Sequence, residues 1–175
     1  MPKIIDNLKS NILDESMRII EKEGIDNLKI RSLATSLHVA PSTIYNYFDG
    51  KDQIVGALLM RSWEDALARI DEICEKGNDA PEALSEIAAE LKCRIRPLLQ
   101  QHISAVTRQN SQTGFDSRQV VTLPLEERVI RILATGDRSE AEAKAMSSII
   151  TKLLITCMHD TDIELKEIID TIKKL

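Results

Sequence analysis

Apolar residues recur along this chain at intervals of three and four, and no segment sustains the strict alternation of a half-buried strand. Residues 6–23 place Leu8, Ile12, Leu13, Ser16, Met17 and Ile20 on one broad face, and Gly24 stands where a helix stop needs positive φ. Residues 29–37 carry Ile30, Leu33, Ala34 and Leu37 on a stripe, and Pro41 opens a short segment in which Ile44 and Phe48 share a face. Only His38, Val39 and Ala40 separate the two, which is the spacing of a helix-turn-helix. A long helix follows from about Asp49-Gly50-Lys51 through Ile54, Leu58, Met60 and Trp63 to about Cys74, bridging to a second domain. Pro81 begins another, through Leu84, Ile87, Leu91, Ile95 and Leu98 towards Val106, with a kink or break expected at Pro97.

The polar run QNSQTGFDSRQVVTL, residues 109–123, lacks a stripe and reads mainly as a loop. Helical spacing returns over residues 125–135 and ends at Gly136-Asp137. Ser139 with Glu142 forms a capping-box pattern ahead of Met146, Ile149, Ile150, Leu153, Leu154 and Cys157; Thr161 with Glu164 repeats it ahead of Leu165, Ile168, Ile169 and Ile172. The pattern predicts an all-α chain in two parts: residues 1–54, an N-terminal three-helix DNA-binding domain, and residues 55–175, a C-terminal helical domain for ligand binding and dimerisation.

Composition narrows the function. The chain has 175 residues, 43% hydrophobic and 29% charged, enough to bury a core and to read as soluble and globular. Its net charge of −5 argues against coating an anionic partner with the whole surface, so such a partner must be met locally. The polar N-terminus and the absence of a long apolar run predict no signal peptide, no membrane contact and a cytoplasmic location. Cys74, Cys93 and Cys157 are odd in number and far apart, which suggests core residues and neither a disulfide framework nor a metal site. With no glycine-rich phosphate loop, nucleophile elbow or ligand-spaced cluster of His and carboxylates, the sequence predicts neither an enzyme nor a bound cofactor.

The helix-turn-helix reverses the charge of its surroundings. From Asn27 to Phe48 there is no Asp or Glu, while Lys29 and Arg31 are present and Lys51 follows. Phosphate contact requires that electrostatic character. Three of the chain's five aromatic residues, Tyr45, Tyr47 and Phe48, also fall here. Phe48 shares the apolar stripe with Ile44, leaving Tyr45, Asn46 and Tyr47 to face a groove and its sugar-phosphate walls.

At these residues the run G-I-D-N-L-K-I-R-S-L-A-x-x-L-H-V-A-P-S-T-I-Y-N-Y-F-x-x-K-D-x-I resembles, without a gap, the DNA-binding domain of the tetracycline-repressor (TetR) family of bacterial transcription regulators. The resemblance covers residues 8–58. It implies that Arg31 contacts bases or phosphates, that Pro41, Ser42, Thr43 and Tyr45 face the groove, that Asn46 and Tyr47 contact the backbone, and that Lys51 binds a phosphate. The chain departs from the family in the turn, where His38 stands in place of the usual Gly and Ala40 in place of Ser. His38 must then tolerate a left-handed backbone, and Pro41 and Ser42 must start the recognition helix without a capping hydroxyl.

The function this implies is a dimeric transcriptional repressor, released from a palindromic operator in double-stranded DNA by a small-molecule effector. The alternative is a DNA-binding adaptor whose C-terminal domain takes a protein partner. A homodimer is expected through residues 139–174, where Ala141, Ala145 and Ser148 permit close helix approach. The effector is expected to be mostly apolar and to lie within residues 55–135, with Trp63, Cys93, His102 and Phe115 as the first candidate lining residues.

Overall fold

A computed structural model describes residues 7–99, 118–134 and 139–159. These residues are helical throughout, with no strand among them. The chain divides into two compact units, residues 1–60 and 61–175.

In the first unit, α1 (Leu8–Glu23) stops at Gly24, whose φ of 82° is open to glycine and whose N–H donates to the Ile20 carbonyl at 3.0 Å. A 3₁₀ turn over Ile25–Asn27 leads to α2 (Ile30–Ser36) and α3 (Pro41–Tyr45). The core gathers Leu8, Ile12, Leu13 and Ile19 of α1, Leu33 and Ala34 of α2, and Ile44 and Phe48 beside α3. Ile54, Val55 and Leu58, from the start of α4 (Lys51–Glu75), complete it. Their packing carries the first unit to Met60, within α4. The inward face of α1 is rotated from the stripe read in the sequence, for Ile19 is buried while Met17 and Ile20 are half-buried.

In the second unit, α4 supplies buried Trp63, Ala66, Ile70 and Ile73. Beyond its end Gly77 takes a φ of 72°, and Glu86 accepts from Lys76 Nζ at 2.6 Å and from Asn78 Nδ2 at 2.8 Å, fastening the connection. The next helix, α5 (Ala80–Arg94), is capped by Asp79, whose Oδ1 accepts the Glu82 N–H at 2.9 Å. It breaks at Ile95, ahead of the short α6 (Arg96–Leu99). Pro97 is the cause: it has no N–H for the Cys93 carbonyl and disfavours helical geometry in the residue before it.

Residues 118–122, expected as loop, form a π turn that runs into α7 (Leu123–Leu133). Here too a proline shapes the backbone. Pro124 offers no N–H to the Val120 carbonyl, and the Trp63 indole donates to that oxygen at 3.0 Å instead. Asp71 of α4 ties the same region down, pairing with Arg128 Nη2 at 2.5 Å and Arg131 Nη1 at 2.9 Å.

The capping box of α8 (Glu140–His159) forms as expected, with Ser139 N–H and Oγ donating to Glu142 Oε2 at 2.9 and 2.7 Å. Its inward face differs from the expected stripe. Ala143, Ser147, Ile150, Thr151, Leu154, Cys157 and Met158 are buried, Met146 and Leu153 are half-buried, and Ile149 is 62% exposed. The expected helix over residues 162–174 lies outside the described residues.

Candidate nucleic-acid interface

The helix-turn-helix is built on backbone bonds that close its turn. Leu37 N–H donates to Leu33, His38 to Thr35 at 3.1 Å, and Val39 to Ala34 at 3.0 Å. His38 adopts a φ of 55°, the left-handed conformation that its place in the turn demands. Ala40 is extended, offers no side-chain cap, and accepts the Thr43 N–H on its carbonyl at 2.9 Å. Pro41 therefore opens α3, its fixed φ compensating in part for the missing hydroxyl.

Two buried side chains fix the rotation of α3: Ile44 is fully buried and Phe48 is 2% exposed. The opposite side is left to solvent. Pro41, Ser42, Tyr45 and Asn46 are exposed, Tyr45 at 53% even though it is a large ring, and Thr43 is half-buried. Tyr47 departs from the grouping read in the sequence, since it is half-buried and packs against the core of the first unit. Its ring is in part structural. Lys29 and Arg31 are exposed at the start of α2, and the Arg31 carbonyl accepts from Thr35 Oγ1 at 3.0 Å.

Lys51 opens α4 and is half-buried. The entry to that helix is held by Gln53, whose Oε1 accepts the Asp49 N–H at 2.6 Å. Lys9 of α1 is a cation the sequence pattern did not single out: its Nζ lies 5.9 Å from the centre of the Phe48 ring. Only folding brings α1 beside the end of the helix-turn-helix, so no local spacing signals that pair.

The candidate ligand residues are not brought together. Trp63 is buried in the second unit, Cys93 is exposed on α5, and His102 and Phe115 lie outside the described residues. Exposure of Cys93 corrects its assignment both as a core cysteine and as the lining of an enclosed pocket. Cys74 is half-buried and Cys157 buried, and burial pushes the Cys74 thiol up, keeping it protonated and unreactive. Among the described residues no group of three or more His, Cys, Asp or Glu stands as a metal site, and no helix is long and apolar enough to cross a membrane.

Residues 12–58 match the family model for bacterial regulatory proteins of the tetR family. The HTH-type transcriptional regulator UidR of Escherichia coli K12 is 27% identical over 67 residues, a match covering 38% of this chain and 34% of that protein. This chain thus matches about a third of the length of its curated relative. Among solved structures, a transcriptional regulator of the TetR/AcrR family from Thermobifida fusca superposes with a TM-score of 0.57 at 15% identity, covering 95% of this chain and 94% of the other. The fatty acid degradation regulator FadR from Bacillus halodurans gives 0.51 at 16% identity, covering 95% and 96%. At these identities the structural likeness bears on the fold.

Proposed function

Since the chain belongs to the tetR family of bacterial regulatory proteins through residues 12–58, we propose that it is a DNA-binding transcriptional regulator, a two-fold dimer that represses from a palindromic operator and is released by a mostly apolar effector. The observation that carries the DNA-binding reading is the division of aromatic residues around α3. Ile44 and Phe48 anchor the helix, and Tyr45 is held outward at 53% exposure in a segment without acidic side chains. A large ring kept in solvent at the centre of a helix-turn-helix suits contact with thymine methyls and sugars. Lys29, Arg31 and Lys51, with Ser42, Thr43, Asn46 and the Tyr47 hydroxyl, supply phosphate and groove contacts around it.

Dimerisation is supported by Ile149, exposed at 62% on α8 between half-buried Met146 and Leu153. A stripe of that kind on an amphipathic helix is covered most simply by its own copy across a two-fold axis. Release follows if an effector bound by the second unit favours one separation of the two reading heads over another, for equal affinity to both shifts nothing. Selection from a random duplex library tests the reading. Two inverted half-sites about one helical turn apart are expected, and an unenriched pool or a single asymmetric motif contradicts it.

A further inference from the structure

A buried hydroxyl that meets no partner is the exception in folded proteins, because its lost hydration has to be replaced by protein, water or ligand. Thr151 of α8 is such a case: it is fully buried, and its Oγ1 meets no hydrogen-bonding group among the described residues. The usual local remedy is bonding to the carbonyl four residues back. Thr156, exposed on the same helix, takes that remedy and donates to Lys152 at 2.8 Å, and Thr151 does not.

The surroundings of Thr151 follow from helix register. Helices α7 and α8 are joined by a short connection, residues 134–139, which sets neighbouring helices antiparallel. Ser147 Oγ lies 3.4 Å from Glu126 Oε1, fixing which residues face each other. One turn further, about 5.4 Å along the axis, Thr151 comes opposite Thr122, where the π turn meets α7. That is the level at which Trp63 holds the Val120 carbonyl. Single π turns inside helices occur frequently at functional sites. An unpartnered hydroxyl, an irregular turn and the unit's one tryptophan therefore converge on one level of the bundle, among apolar side chains of α5 and α7.

We propose that Thr151 is the polar anchor of the effector site, its hydroxyl holding the head of an uncharged, mostly apolar molecule such as an alcohol. This rests on the effector-controlled reading above. The charges nearby decide the head group. Glu126, one turn away, opposes a carboxylate, and Arg128, whose Nε is also unpartnered, has its charge matched by Asp71.

The test compares the parent with Thr151→Val, which keeps the shape and deletes the hydroxyl, using decanol, menthol and decanoate as probes on the full chain without DNA. Deleting an orphaned buried hydroxyl removes a desolvation cost, so the free variant is expected to melt at or above the parent temperature. Either alcohol is expected to raise the parent's melting temperature saturably, decanoate is not, and the variant is expected to bind that alcohol about tenfold more weakly. A variant that melts well below the parent, an alcohol that binds both proteins equally, decanoate binding as well as decanol, or no binding of either alcohol to the parent would each overturn the anchor. Anisotropy on the selected duplex separates this from the wider reading. Alcohol binding with no bound DNA to release contradicts the regulator and leaves the anchor standing, whereas DNA binding with an unaffected Thr151→Val contradicts the anchor alone.

Discussion

His38 shows what a single residue costs and discloses. Its backbone is left-handed at φ 55° and its side chain is exposed, so the turn depends on its main chain and not on its packing. A β-branched residue resists that conformation, and His38→Val is expected to lower stability by about 1–2 kcal/mol, read as a lower urea midpoint at unchanged slope. A midpoint equal to that of the parent would mean that the turn does not need the left-handed state. Both this strain and the uncapped start at Ala40 were legible in the sequence, because each depends on one residue type at one position. The half-burial of Tyr47 was not, since it depends on how far α3 is rotated, and Ile44 and Phe48 fix that rotation only against the folded core. The approach of Lys9 to Phe48 was hidden for the same reason.

At the scale of elements, what the sequence revealed was local chemistry. Ser139 and Glu142 satisfy each other's end of α8, and the box was readable three residues apart. Ser139→Ala is expected to cost about 1 kcal/mol, with a cooperative urea transition at lower midpoint; an unchanged midpoint would show that α8 does not need its cap. What stayed hidden was the direction each helix faces. A stripe drawn through the most hydrophobic residues of α8 turns Ile149 inward, yet the buried face runs through Ser147 and Thr151, leaving Ile149 in solvent. Hydrophobicity alone misjudges a face on which small hydroxyl residues fill the tight space between helices. The π turn at residues 118–122 was equally hidden, because the polar run before it masks a helical start that Pro124 and Trp63 shape together.

At the scale of the whole molecule, an acidic chain that binds DNA must do so through a few placed groups and in two copies. Ile149 offers the cleanest probe of the second condition, since it is exposed and its replacement leaves the core alone. Ile149→Glu is expected to sediment as a folded monomer at micromolar concentration and to lose most affinity for a two-half-site duplex, whereas a stable dimer would put the two-fold contact elsewhere. The reading head is the central claim, and salt-dependent fluorescence anisotropy on the selected duplex and a scrambled one tests it most directly. Lys51→Ala should weaken binding to both duplexes about equally and lower the salt slope by about one. Tyr45→Ala should reduce discrimination between them by about 1–3 kcal/mol, with both proteins folded by circular dichroism. Folded variants that bind and discriminate as the parent does would contradict the assignment of this surface to DNA.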